Sequence, residues 1–308
     1  MENISETSSE QWFRIKEKSA GKKRLLITLW FYKVFGIFPV KIIAFFVGLI
    51  TFFADKNLRK HSKDYFSALY DYTNDKRYKP SNLNALKNVL SYSDSLADKI
   101  DIFAGNYRSE NIIFADKNAE NELFEAIKNK KRVFFICNHV GNIDVMRTFL
   151  QKNQHDTNPD VIVFLQKNQC SVFNDFIESL RVDCPKLTVY PVEDIDISVT
   201  FEVDEKLKNG AVVYMAGDRM SADNTSKTYD VTLLNKTVQF PKGVYKFTKA
   251  LDAEIYFVSA LKENGKYVIH IEKYADTSEP AYIACAKFIQ KLILLKPYQL
   301  YQFYDYFN

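Results

Sequence analysis

The sequence has few of the residues that mark linkers, metal sites and disulfide bonds. Its 308 residues include 9 glycines, 8 prolines and 4 cysteines, and no segment is rich in proline, glycine and serine. The cysteines are Cys137, Cys170, Cys184 and Cys285. Their positions match no metal-ligand spacing, so we interpret them as small apolar residues of a reducing compartment. The lack of linkers, repeats and low-complexity segments predicts one folded domain with an N-terminal extension.

An excess of one charge is also missing. The chain has 42 Lys and Arg against 38 Asp and Glu, and its net charge of +4 is too small to predict a nucleic-acid partner. Residues 1–20 are polar and lack the apolar core of a cleavable signal peptide, so we expect the protein to act on the cytoplasmic side. Aromatic residues are abundant at 15%, which favours a membrane surface or an apolar ligand.

No uninterrupted apolar run is long enough to cross a bilayer. The apolar blocks of the N-terminal region are residues 25–32, 34–40 and 42–54. Lys33 and Lys41 separate them, whereas a transmembrane helix needs about 20 apolar residues. A single span over residues 34–54 stays open if Lys41 extends its ammonium group to the interface, but Pro39 would then lie inside the helix.

Two other interpretations of this region are a buried pair of helices and an anchor that lies on the membrane. In the second, Lys22, Lys23 and Arg24 would face anionic headgroups, and each adds roughly 1 kcal/mol of attraction near such a surface. We favour the anchor. Residues 1–56 are therefore assigned to a membrane-associating helical segment, and residues 57–308 to an α/β domain.

Strand-like and helix-like segments alternate after residue 80. Short apolar runs such as "RVFFIC" and "AVVYMAG" are separated by segments with helical periodicity. This order predicts an α/β fold with a central, mostly parallel mixed sheet flanked by helices. An antiparallel portion is expected near residues 228–272, where two pairs of strands are joined by short turns.

The segment "CNHVGNIDVMR" (residues 137–147) contains the strongest candidate for a catalytic residue. His139 follows a buried strand, at the edge where open α/β sheets bind their ligands. An imidazole can take a proton from a hydroxyl, and a carboxylate on its other ring nitrogen would fix the tautomer. Asp144 is the candidate for that carboxylate, and Gly141 would allow a close approach. No serine or cysteine is placed as a covalent nucleophile, which favours a dyad.

This segment resembles the first signature block of the lysophospholipid-acyltransferase superfamily. Its surroundings are similar to the branch that contains the bacterial lipid A late acyltransferases. His139, Gly141, Asn142 and Arg147 match that block, and Asp144 stands where the branch has glutamate.

Later blocks of the same family follow in order. "VFNDFIESLR" resembles its Phe-Asn helix, with Asn174, and "LKNGAVVYMAGDR" resembles a strand block that ends in Asp218 and Arg219. "VTLLNKTVQFPKG" retains Gly243 but has Asn235 where glycine is usual. "KPYQLYQFYDYF" is similar to the closing aromatic segment, with tyrosine for tryptophan at position 301.

The resemblance implies transfer of an acyl chain from an acyl carrier protein or coenzyme A thioester to a hydroxyl or amine of a membrane lipid or glycolipid. It implies no cofactor and no metal, a place on the cytoplasmic face of the inner membrane, His139 as general base and Asp144 as its orienting acid. The candidate substrate-binding residues are Gly141, Asn142, Arg147, Asn174, Asp218, Arg219 and Gly243.

Other interpretations remain open. Arg147 is as well explained by an ion pair with Asp144 as by a substrate phosphate, Asn142 by a helix cap, and Asp218 with Arg219 by a salt bridge within a turn. At the level of the whole protein, the alternatives are a thioesterase or lipid hydrolase and a non-catalytic lipid-binding protein.

Overall fold

The computed structural model describes residues 22–104, 106–107, 109–145, 150, 155, 157–167, 169–170, 187–219, 227–275 and 278–307. The α-helices of this part of the chain are α1 (Lys22–Phe35), α2 (Ile37–Ala54), α3 (Lys56–Thr73), α4 (Asn82–Phe103), α5 (Lys117–Lys128), α6 (Ile197–Lys208), α7 (Lys242–Ala250) and α8 (Ala281–Leu295). The strands are β1 (Ile112–Phe114), β2 (Val133–Cys137), β3 (Val161–Leu165), β4 (Leu187–Pro191), β5 (Val212–Ala216), β6 (Thr228–Leu233), β7 (Lys236–Pro241), β8 (Glu254–Glu263) and β9 (Lys266–Lys273).

Seven strands form one mixed sheet in the order β1-β9-β8-β2-β5-β3-β4. The five strands from β8 to β4 are mutually parallel, and β9 pairs with β8 in the antiparallel sense. The β6–β7 hairpin stands apart from this sheet. The predicted α/β fold, with a mostly parallel mixed sheet and an N-terminal hydrophobic helical extension, is confirmed.

The central strand β2 is buried on both faces. Phe134 and Ile136 pack into a core shared with α3, α6, α7 and α8, and Phe135 and Cys137 pack into a second core shared with α5. Alternate side chains of a strand point to opposite faces, so every residue of β2 is apolar. The end of β2 is therefore held rigidly, and with it the chain that leads to His139.

The strand patterns "YDVTLL" and "KTVQF" predict a hairpin turn at Asn235 and Lys236, whereas the β6–β7 turn lies one residue earlier, between the paired residues Leu233 and Lys236. Its two central residues, Leu234 and Asn235, have φ angles of 52° and 59°. Two left-handed residues form the turn whose twist matches that of the flanking strands. Asn235 tolerates this conformation better than most residues, which fits a position where glycine is usual in the similar block.

The N-terminal extension is neither a buried helix pair nor one helix over residues 34–54. Gly36, with φ of 75°, separates α1 from α2, so Pro39 lies in the first turn of α2, where no backbone hydrogen bond is lost. One face of α2 packs on α4. The opposite face is exposed and apolar, and Phe38 and Ile50 are 73% and 67% exposed. Within the described residues, α2 is the one helix with the length and composition to cross a membrane.

Candidate active site

His139 and Asp218 meet at the carboxyl edge of the sheet. Cys137, the last residue of β2, pairs with Ala216, the last residue of the parallel neighbour β5. His139 follows two residues after Cys137, and Asp218 follows two residues after Ala216. The Nδ1–H of His139 donates to Asp218 Oδ1 over 2.9 Å, and the His139 backbone N–H donates to Oδ2 over 2.8 Å. The imidazole side chain is 29% exposed, so its far edge can meet a ligand.

Asp218 is completely buried, and hydrogen bonds replace the water that its carboxylate would otherwise bind. Besides the two bonds from His139, Oδ2 accepts a bond of 3.0 Å from Gln302 Nε2. An ionised carboxylate can only accept hydrogen bonds, so the proton of a neutral His139 lies on Nδ1. This leaves the lone pair of Nε2 to accept a proton.

The orienting carboxylate of His139 is thus Asp218, and the predicted pairing with Asp144 is corrected. Asp144 forms an ion pair with Lys99 Nζ of α4 at 2.8 Å. Its backbone N–H donates to Asn142 Oδ1 over 3.2 Å, which fixes its position relative to Asn142 in the turn after β2. From that position its side chain lies against α4, while Nδ1 of the imidazole is already bonded from the β5 side.

Gly141 is required by the backbone of the His139 turn (residues 138–144). Its φ is 78°, and a Cβ added there would lie 2.1 Å from the carbonyl oxygen of Ala260. Its N–H donates to Gln299 O, and the next N–H, of Asn142, donates to Ala260 O, both over 2.8 Å. The expected close approach is confirmed, and it is to the backbone of β8.

Asn142 shapes the same turn from within. It is almost fully buried, and its Nδ2 donates to Ser95 O over 3.1 Å and to the Tyr267 hydroxyl over 3.3 Å. Its Oδ1 accepts from the N–H of Asp144. These bonds agree with the helix-cap interpretation of Asn142.

The C-terminal segment completes the site, and the sequence singled out Tyr301 in this segment but not Leu300 or Gln302. Val140 and Leu300 form an antiparallel bridge, and the Tyr301 N–H donates to His139 O over 3.0 Å. Gln302, two residues after Leu300, reaches Asp218. The similarity of this segment to a closing family block was the one signal that it belongs with the site.

The remaining candidates are Arg219 and Gly243, which lie at the ends of other elements, and two residues outside the described part of the chain. The guanidinium of Arg219 lies over the ring of Tyr304, 5.2 Å from its centroid. Gly243 lies in the first turn of α7, and two residues later the Tyr245 hydroxyl donates to Gly217 O over 3.0 Å. Arg147 and Asn174 fall outside the described residues.

Cys137, the thiol nearest in sequence to His139, is unsuited to act as a nucleophile. Its side chain packs in the core beneath the sheet, as the alternation of β2 predicts. Burial, helped by the charge of Asp218, raises the pKa of this thiol well above its ordinary value, so it stays protonated.

His139, Gly141, Asn142, Asp144 and Asp218 therefore come together at one edge of the sheet. No protein-family model and no curated protein matches this sequence.

Proposed function

We propose that the protein is an acyltransferase that moves a fatty acyl chain from an acyl thioester to a hydroxyl or amine of a membrane lipid or glycolipid. The observation that carries the proposal is the partly exposed imidazole of His139, held through Nδ1 by the buried carboxylate of Asp218. This arrangement makes Nε2 a general base, which typically accelerates a reaction about 10²–10⁴-fold.

The reaction follows from the position of that nitrogen. The acceptor hydroxyl gives its proton to Nε2 of His139 as its oxygen attacks the thioester carbonyl carbon. The tetrahedral intermediate then expels the thiolate by breaking the carbon–sulfur bond, and the imidazolium returns the proton to the sulfur. Asp218 stabilises the imidazolium while it carries the proton. No acyl-enzyme is needed, in agreement with the burial of Cys137.

Asp144 has a different place in this proposal. Its carboxylate pairs with Lys99, and its backbone closes the turn through Asn142. A contribution of Asp144 to catalysis stays a prediction, and it would act by holding the His139 turn against α4.

A membrane location is the second part of the proposal. Among the described side chains of α1 and α2, the large apolar ones that are exposed are Trp30, Val34, Phe35, Phe38, Ile42, Ile43, Phe45, Phe46, Val47, Ile50 and Phe53. So large an apolar surface favours contact with lipid. The opposite face of α2 packs on α4 between Val40 and Phe52, so we propose that α2 lies along the inner-membrane surface on its cytoplasmic side, where acyl chains and lipid acceptors are found.

The same dyad could activate water, and the 29% exposure of the imidazole gives water access, so a thioesterase is the second candidate. The two are separated by measuring the consumption of a long-chain acyl thioester, on coenzyme A and on an acyl carrier protein, with and without vesicles of bacterial lipid extract. A transferase consumes thioester only with acceptor and yields an acylated lipid. Consumption independent of lipid indicates a hydrolase, and vesicle binding without consumption of either donor would contradict an enzyme.

A further inference from the structure

A buried carboxylate connects helix α2 to the core of the domain. Asp98 of α4 is 2% exposed. Its Oδ1 binds Lys41 Nζ of α2 at 2.8 Å, and its Oδ2 accepts hydrogen bonds from Lys262 of β8 and from the Tyr267 hydroxyl of β9, the latter over 2.8 Å. Four elements therefore meet at one side chain.

The same group of residues reaches the His139 turn. The Tyr267 hydroxyl that donates to Asp98 also accepts a bond from Asn142 Nδ2 over 3.3 Å. Asn142 in turn binds the N–H of Asp144 through Oδ1. A continuous chain of hydrogen bonds thus runs from Lys41, on the helix with the exposed apolar face, to the turn beside the imidazole.

A second path joins the same two places through the backbone. The N–H of Lys262 donates to Gln299 Oε1 over 2.9 Å, and Gln299 Nε2 donates back to Lys262 O over 2.8 Å. The carbonyl of Gln299 accepts the N–H of Gly141 over 2.8 Å. Both paths leave from residues that bind Asp98 and end at the His139 turn.

Lys41, Asp94, Asp98 and Lys262 form a charged cluster whose two positive and two negative charges balance. Asp94, one turn before Asp98, binds Lys262 and lies 3.5 Å from Lys41, so two carboxylates face two ammonium groups. Burial lowers the pKa of Lys41, but the hydrogen bond and the charge of Asp98, together with the charge of Asp94, raise it above its ordinary value. Lys41 thus stays charged and turned toward α4. Removing one member of such a cluster leaves a buried charge without its partner, which costs more than removing an oppositely charged pair.

We propose that Asp98 is a positioning residue that couples the seating of α2 on α4 to the shape of the His139 turn, through Tyr267 and Asn142. The catalytic meaning of that turn rests on the proposed function, but the coupling itself does not. A contact of α2 with lipid that shifts this helix on α4 would thereby change the conformation of the turn that holds the His139 imidazole.

The sharpest perturbation is Tyr267→Phe, which removes one hydroxyl and leaves both lysine pairs of Asp98 in place. Hydrogen exchange in the full-length protein, followed by mass spectrometry, reports on each segment. Loss of one net hydrogen bond predicts about 3- to 10-fold faster exchange in residues 138–145. Exchange in α2 and in β3 should stay as in the wild type. Lys41→Met should accelerate exchange in both α2 and residues 138–145, and Lys41→Arg should restore both.

A matched control is Lys273→Met. Lys273 also bridges two carboxylates, those of Glu122 and Glu254, each at 3.0 Å, but within the described residues no hydrogen bond or ion pair joins it to the His139 turn. This variant should leave exchange in residues 138–145 unchanged. The double variant Lys41→Met with Asp98→Asn removes one charge of each sign, so its effect should be smaller than the sum of the single effects.

Two results would overturn the proposal. One is that residues 138–145 exchange hydrogen at the wild-type rate in both the Tyr267→Phe and the Lys41→Met proteins, with both variants folded. The other is equal acceleration in β3, which would mean that the cluster only stabilises the fold. Neither result involves acyl transfer, so an inactive wild-type protein would reject the proposed function and leave this test intact.

Discussion

Replacing Asp218 with asparagine should abolish most of the turnover while the fold is kept. Asp218 Oδ2 accepts two N–H groups, from the His139 backbone and from Gln302, whereas Oδ1 faces a single nitrogen, Nδ1 of His139. The amide oxygen of asparagine will therefore take the position of Oδ2, because an NH2 group there would face two donors. The new NH2 group then points at Nδ1 and donates to it. The imidazole proton is forced onto Nε2, which can no longer accept a proton from the acceptor.

The expected loss of turnover is on the order of 10²–10⁴-fold, the range for a general base or for a base held in the wrong tautomer. The unfolding free energy should fall by only about 1–3 kcal/mol, the cost of exchanging hydrogen bonds to a charged group for neutral ones. Initial rates of thioester consumption with lipid vesicles give the first quantity, and denaturant unfolding gives the second. The tautomer can be observed by nitrogen NMR, because the chain has only four histidines.

Asp144→Asn is the matched control, since it makes the same chemical change five residues from His139. Its carboxylate pairs with Lys99 and is 17% exposed, so we expect a smaller loss of turnover than for Asp218→Asn. A folded Asp218→Asn protein with wild-type turnover would refute the reasoning. If Asp144→Asn were inactive at the same time, the orienting role would return to Asp144.

Three further predictions concern the turn, the apolar face and a buried acid. Gly141→Ala should lower the unfolding free energy by about 1–3 kcal/mol in denaturant unfolding, because its Cβ meets the Ala260 carbonyl in a left-handed backbone; unchanged stability would mean that the turn can relax. Phe38→Glu or Ile50→Glu should release the protein from floating anionic vesicles without unfolding it, and continued flotation would reject contact of this face with lipid. Burial raises the pKa of Glu120, but hydrogen bonds from His155 and Lys117 outweigh burial and lower this pKa below its ordinary value of 4.5. The ionised Glu120 therefore stabilises the fold above pH 4.5, and this stabilisation is lost as the pH falls through the lowered pKa. Glu120→Gln should make the unfolding free energy depend less on pH on the acid side, and an unchanged dependence would contradict this.

The sequence was sufficient to predict the elements that carry the site. The apolar run of β2 and the alternation of strands with helical segments predicted a parallel sheet with His139 at its carboxyl edge. The β8–β9 pair was predicted from the short turn between two strand patterns. These signals are local, since each depends on residues within about ten positions of one another.

The partner of His139 was missed because it is not local. Asp144 is five residues from the histidine and Asp218 is 79 residues away, so proximity in sequence favoured the wrong acid. Once β2 and β5 are known to be neighbours, with Cys137 opposite Ala216, His139 and Asp218 each lie two residues beyond these paired strand ends and therefore close together. The neighbour relation could not be obtained from one sequence, and neither could the return of Gln302 to Asp218.

The N-terminal region shows a similar limit. Composition indicated a membrane-facing helix but treated Lys41 as an interruption of the apolar surface. In the structure Lys41 faces α4, because a buried carboxylate 57 residues away, Asp98, offers it an ion pair. The exposed face of α2 is thus more uniformly apolar than its sequence suggests.

The most direct test of the central claim is a comparison of lipids from cells that lack the protein and carry either the wild-type chain or His139→Ala, at equal amounts of folded protein. Mass spectrometry of the membrane lipids should show a species heavier by one fatty acyl group with the wild type, and its unacylated precursor with His139→Ala. The same acylated species at the same level in both strains would contradict the assignment of His139 as the base of an acyltransferase.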